Sequence, residues 1–193
     1  MQKSSIQFFG LPGSGKTYTL KKCLESDPEK YTTIPHFSKT KRFFLAMRFV
    51  ISYPQIAFLF LRLIIVNKVA LWRYLIHLVS NSFASHMYVH MEKETSKIVL
   101  IDEGVFQRFL SVARYPISDK YAQKVFRILK VLDTKVVIKI GGDFGRFVNE
   151  PDRMMSPRNK LGQKYFEEWS ASLVHNFNVL SRVIGDNNYA SDL

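Results

Sequence analysis

Eight residues near the start of the chain, Gly10-Leu11-Pro12-Gly13-Ser14-Gly15-Lys16-Thr17, have the spacing of a loop that wraps a polyphosphate: a Gly, four residues, then Gly-Lys-Thr. Consecutive backbone N–H groups can surround phosphate oxygens only where the chain turns tightly without Cβ clashes, which Gly10, Gly13 and Gly15 permit. Pro12 stiffens the turn. Lys16 supplies a point charge suited to β- and γ-phosphates, and the Thr17 hydroxyl is a ligand type for Mg²⁺. Ser14 and Tyr18 complete the stretch expected to bind the nucleotide.

A second group of chemically capable residues lies at Lys97-Ile98-Val99-Leu100-Ile101-Asp102-Glu103-Gly104. Four apolar β-formers ending in an acid describe a buried parallel strand whose C-terminal end delivers a carboxylate to a nucleotide. Asp102 is the expected Mg²⁺ holder, directly or through water. Glu103 is either a general base for water or an acceptor hydroxyl, or a substrate contact. Gln107 and Arg108 follow about one helical turn later, where they can reach an acceptor or a transferring phosphoryl group. Between Asp143 and Lys164 the chain carries Arg146, Arg153, Arg158, Lys160 and Lys164 among Pro151 and Pro157. This composition suits a lid over about 143–160 that neutralises charge in the transition state. Arg153 and Arg158 lie at its centre, and Arg146 is a candidate substrate contact.

These groups need a frame. The apolar run Ile6 to Phe9 is the strand that feeds the loop. Thr17 through Leu24 forms the helix whose free N–H groups and positive dipole end face the phosphates. Tyr31 to Phe37 reads as a short second strand that Pro35 limits or places at an edge, leaving His36, Ser38 and Lys39 as candidate substrate contacts. Lys41 to about Met91 reads as helices at roughly 41–52, 55–66 and 68–91, with Pro54 in the first turn of the second. Gly104 to Arg114 is helical, as is Asp119 to Leu132 with Ser118 as N-cap. Lys135 to Ile140 is a further strand ended by Gly141-Gly142. A helix over 161–175, a last strand over Phe177 to Ile184 and a polar tail from Gly185 complete the chain.

At 193 residues the chain suits one domain carrying an insertion at about 41–92. The net charge is +12, from 28 basic and 16 acidic residues, and it is unevenly placed. No Asp or Glu occurs between Glu29 and Glu92, while Lys30, Lys39, Lys41, Arg42, Arg48, Arg62, Lys68 and Arg73 do. Nineteen residues from Phe49 to Asn67 hold one charge, Arg62, which approaches the length of a membrane span. Pro54 interrupts that window, and an arginine within a span costs about 2.5–3.5 kcal/mol. Three readings of the block therefore compete: the flank of an enlarged substrate pocket, a surface docking on an anionic membrane, and a self-association face. The basic residues are interleaved with large aliphatics and not with a nucleic-acid reading motif, so nucleic acid ranks last among partners. The single Cys23 cannot form an intramolecular disulfide, and the apolar residues at the start, which run directly into the loop, do not read as a secretory signal. Both fit a reducing cytoplasm, with the inner membrane face as the alternative location.

The motifs at 10–17 and 97–103, with the arginines at 146–158, resemble the phosphate-loop kinase superfamily, in particular its thymidylate-kinase-like and nucleoside-kinase-like branch. The resemblance implies a three-layer α/β fold with about five parallel strands, the loop strand central, Mg-ATP as donor, and an acceptor held between the helical block and the lid. The loop then corresponds to the Walker A element and Asp102 to Walker B. Thymidylate kinases usually follow that acid with an arginine. Here Asp102-Glu103-Gly104 is more reminiscent of hydrolytic phosphate-loop ATPases. The Asp-Glu-Gly and Gln-Arg arrangement at 102–108 is also similar to small kinase-like proteins of bacterial surface-polysaccharide loci. The expected activity is phosphoryl transfer from Mg-ATP to a small anionic or hydroxylated acceptor. The alternative is an ATPase or nucleotide switch acting on a membrane or protein partner.

Overall fold

A computed structural model of the chain describes residues 5–66, 72–91, 96–139 and 162–187. The expected lid at 143–160, Gly141-Gly142 and the last residues of the tail lie outside them. Strand β1 (Ser5–Gly10) forms the middle of the sheet, between β3 (Ile98–Ile101) and β4 (Lys135–Lys139), and β2 (Tyr31–Thr33) pairs with the far side of β3. All three pairings are parallel, with Ile6 opposite Leu100 and Phe8 opposite Val137. Over the described residues the protein is thus an α/β structure built on a single parallel sheet.

Every residue of β1 is buried, because helices cover both faces and alternate side chains point to each. Ile6 and Phe8 pack with Leu20 of helix α1 (Lys16–Ser26). Phe9 turns to the other face, where its ring lies 6.4 Å from Phe106 of α5 (Val105–Val112) and 5.2 Å from Phe177 of α7 (Gln163–Asp186). Burying each of these rings contributes about 1.5–3 kcal/mol relative to exposure.

Between β2 and β3 the chain builds α2 (Lys39–Ser52), α3 (Pro54–Val66) and α4 (Trp72–Met91). Ser38 caps α2, its Oγ accepting from the Lys41 N–H at 3.2 Å. Pro54 takes the first position of α3, where its missing N–H costs nothing, and the axes of α2 and α3 meet at 106°. Phe83 of α4 stacks on Phe49 at 4.3 Å and meets Phe60 edge-on at 5.5 Å, which locks the three helices together. Among the described residues no single helix is long and apolar enough to cross a membrane, and only the bent α2–α3 pair passes by length and composition.

Helix α6 (Asp119–Leu129) starts at Ser118, whose side chain accepts from the Tyr121 N–H, and ends in a short 3-10 turn, Lys130–Leu132. The strand expected over Phe177 to Ile184 is instead the second half of α7, so the described sheet has four strands and not five. The local run is rich in β-formers, but its buried residues, Trp169, Leu173, Phe177, Leu180 and Ile184, recur at helical spacing. Tertiary contacts reinforce that period. Asn176, buried in α7, accepts from the Ile117 N–H through Oδ1 at 2.9 Å and donates to the Tyr115 carbonyl at 3.0 Å.

Candidate functional site

Gly13 and Gly15 both adopt left-handed backbone, with φ of 78° and 79°, the conformation that favours glycine. Gly15 is the N-cap of α1 and no side chain bonds the first helical N–H groups. The turn closes through Ser14 N–H to Leu11 O at 3.2 Å. Lys16 folds back over it, donating to Gly10 O at 3.0 Å and Leu11 O at 2.9 Å. Burial pushes the Lys16 ammonium pKa down, while Asp102 and Glu103 act in the opposite direction. The side chain of Tyr18 projects outward beside the loop and is 72% exposed.

Thr17 reaches across 85 residues of sequence to Asp102: its hydroxyl lies 3.0 Å from Oδ2 and 3.3 Å from Oδ1. Burial pushes the Asp102 carboxyl pKa up, opposed by the Thr17 hydrogen bond, raised further by Glu103, and opposed again by Lys16 and Arg108. Among the described residues there is no group of three or more His, Cys, Asp or Glu that could hold a metal ion. A hydroxyl beside one carboxylate is a partial oxygen set, and it fits Mg²⁺, which keeps several waters and takes its remaining ligands from substrate phosphates.

Beneath the loop a polar network ties β1 to α5. Gln107 is buried and its Oε1 accepts from the Gly10 N–H at 3.1 Å, so this residue, expected at the acceptor, holds the loop from below. Gln7 Oε1 accepts from Phe106 N–H at 3.3 Å, and His86 Nε2 accepts from Val105 N–H at 3.2 Å. Two of the N–H groups that a helix start leaves unpaired are thereby satisfied by side chains from β1 and α4. Arg108, 3% exposed, ion-pairs with Glu103, which is 59% exposed, and its Nε donates to Ser82 Oγ at 3.2 Å. Ser82 Oγ in turn donates to the Glu103 carbonyl at 2.7 Å.

His86 accepts at Nε2 and is therefore neutral with its proton on Nδ1. Burial pushes its pKa down from 6.5 to about 3. Between those values the unfolded chain binds the extra proton, so this group's stability is fully present above pH 6.5 and is lost toward pH 3. We expect the unfolding free energy to fall by up to about 1.4 kcal/mol per pH unit in that window. In His86→Gln, which keeps an acceptor, the slope should flatten; an unchanged slope in denaturant titrations at several pH values would reject this assignment.

A pocket of about 400 Å³ opens at the C-terminal ends of β2 and β3, where parallel sheets bind ligands. His36, Arg42, Asn81, Asp102, Glu103 and Arg108 supply its polar wall. Arg42 of α2 donates to Asn81 Oδ1 of α4 at 3.0 Å. The structure therefore brings Asp102, Glu103, Arg108 and His36 to one cavity, next to Thr17. It places Gln107 outside the lining, Ser38 at a helix cap, and Lys39 in a neighbouring apolar groove. Arg146, Arg153 and Arg158 lie outside the described residues.

No family model, curated protein or solved structure matches the chain. Residues 10–17 and 97–103 define the site by meeting in space, where Thr17 reaches Asp102. Sequence reading passed over Gln7, Ser82, His86 and Asn81. The glutamine within the run Ile6 to Phe9 is the one available signal; the other three fall among the many polar residues of α4, such as Ser80-Asn81-Ser82 and Ser85-His86, where type and spacing single out none of them.

Proposed function

We propose that this protein is a phosphate-loop kinase of three-layer α/β type that transfers the γ-phosphoryl group of ATP to a small acceptor, anionic or hydroxylated, of the size of a nucleoside, nucleotide or sugar derivative. The observation that carries the reading is the approach of the Thr17 hydroxyl to Asp102 at 3.0 Å, beside a loop whose lysine is already folded over it. Mg²⁺, when bound with ATP, neutralises charge on the β- and γ-phosphates. The loop N–H groups and Lys16 bind those phosphates, and Thr17 with Asp102 holds the ion's protein side. Glu103, steadied by Arg108, orients the acceptor hydroxyl and takes its proton as the acceptor oxygen bonds to phosphorus and the bond to the ADP oxygen breaks. Arg42 in the pocket wall offers a guanidinium to an anionic acceptor, while Arg108 is paired with Glu103.

The deciding experiment is ³¹P NMR of the purified protein with Mg-ATP and separate pools of nucleosides, nucleoside monophosphates and sugar acceptors. A new phosphoester or diphosphate resonance with one pool is the expected result. ADP and inorganic phosphate alone, at a rate that no pool alters, would overturn the transferase in favour of an ATPase or nucleotide switch.

Asp102→Asn separates stability from chemistry. The carboxylate is desolvated, so a neutral isostere that can still bond Thr17 should raise the thermal midpoint by a few degrees. The same change should abolish the Mg²⁺ dependence of ATP binding. A lowered midpoint, or Mg²⁺-dependent binding that survives, would refute the role given to Asp102.

A further inference from the structure

Exposed large apolar side chains concentrate on α2, α3 and α4, and five of them, Phe43, Met47, Phe58, Leu61 and Ile76, line one groove of about 720 Å³. That volume is within the range of about 300–1,000 Å³ typical of small-molecule sites. Phe60 and Phe83, packed edge-on at 5.5 Å, belong to the groove lining, which ties its shape to the core of the three helices. Lys39 and Arg42 are the charged residues of the groove wall, and no acid occurs in the sequence from 30 to 91.

The groove adjoins the polar pocket. Arg42 lines both cavities, and successive residues of α4 divide between them: Ser80 and Phe83 face the groove, Asn81 and Ser85 the pocket. The Arg42–Asn81 hydrogen bond stands at the boundary. A water-soluble acceptor would use the pocket and leave the apolar groove wet beside it. A molecule with a polar head and one apolar chain uses both, head against Arg42, chain along Phe43, Met47 and Phe58.

We propose that the acceptor is such an amphiphile, with an anionic head and a single apolar chain bound as one molecule in the groove. This rests on the kinase reading for the word acceptor, and on the geometry alone for the binding. The apolar lining without acids suits the chain, and the arginine shared with the pocket suits the head.

The test is isothermal titration of the full chain with inorganic phosphate and with hexyl, octyl and decyl phosphate, each below its micelle concentration. Affinity is expected to rise by about fourfold per added methylene until the groove is filled, from about 0.8 kcal/mol per buried CH₂. Phe58→Glu and Met47→Glu, both at exposed positions that leave the fold intact, should remove the chain-length dependence, and Arg42→Gln should weaken all members of the series equally. Lys16→Ala should weaken phosphate binding at the loop for every member of the series and leave the gain per methylene as in the parent. Equal affinity for every chain length would overturn the proposal. So would binding to vesicles of anionic phospholipid with none to the monomeric probes, or a dimer abolished by the same two glutamates. Chain-length dependence without phosphorylation of any acceptor would uphold the groove and reject the kinase; phosphorylation of a soluble acceptor without chain-length dependence would do the reverse.

Discussion

Lys16→Ala is expected to lower ATP-dependent phosphoryl transfer by at least about 10²–10³-fold, the loss seen when one preorganised electrostatic group is removed from a reacting centre. The fold should survive. The lysine makes two hydrogen bonds to loop carbonyls, at 3.0 and 2.9 Å, each contributing about 0.5–1.5 kcal/mol net. Against that stands the desolvation that already pushes its pKa down. The two terms offset, so the thermal midpoint should move by only a few degrees. Lys16→Arg should also lose most activity, because a planar fork does not occupy the position of a compact ammonium bonded to both carbonyls. Initial rates, ATP affinity and thermal unfolding of both variants check this, and full turnover in Lys16→Ala would remove the site assignment altogether.

Gly104→Ala should destabilise the protein by about 1–3 kcal/mol, the cost of forcing extra atoms into a filled interior. A Cβ built at Gly104 falls 2.1 Å from Gln7 Oε1 and 2.7 Å from Gln7 Cβ. Gln7 cannot easily yield, because it is fully buried in the central strand and holds the Phe106 N–H. The backbone at Gly104 has φ −73°, which any residue adopts, so the effect is purely a collision. At roughly 2–4 °C per kcal/mol for a chain of this size, the midpoint should drop by about 2–12 °C. Activity should fall too, since Asp102 and Glu103 precede the displaced residue directly. Gly185→Ala is the control: nothing lies within 4 Å of its Cβ position inside α7, and it should be neutral or stabilising by up to about 1 kcal/mol. A double-mutant cycle with Gln7→Ala should show coupling above about 0.5 kcal/mol between positions 7 and 104. Additive effects would mean that the collision is relieved elsewhere.

Several elements are legible in the amino-acid sequence because they are decided locally. Gly13 and Gly15 take the left-handed backbone that their type permits, Ser118 caps the helix that follows it, and Pro54 opens α3, whereas Ser38, expected as a substrate contact, is the cap of α2. The helical block divides near the expected residues for the same reason. At Phe177 to Ile184 the β-branched composition favours strand and the spacing of the buried residues favours helix. Burial against Phe9 and Ile117 settled it as helix, and that information is distributed across the whole chain.

The chemistry divides along the same line. The amino-acid sequence by itself determined a glycine-rich loop ending in Lys16-Thr17, an apolar strand ending in Asp102, and a long acid-free helical segment, because each depends on residue type and near-neighbour spacing. Only the tertiary structure decided that Thr17 meets Asp102, that Gln107 supports the loop from below, that neutral His86 caps α5, and that Arg42 borders both a polar pocket and an apolar groove. Those relations join residues from 19 to 97 positions apart, and parallel pairing and helix packing, not local propensity, bring them within hydrogen-bond distance.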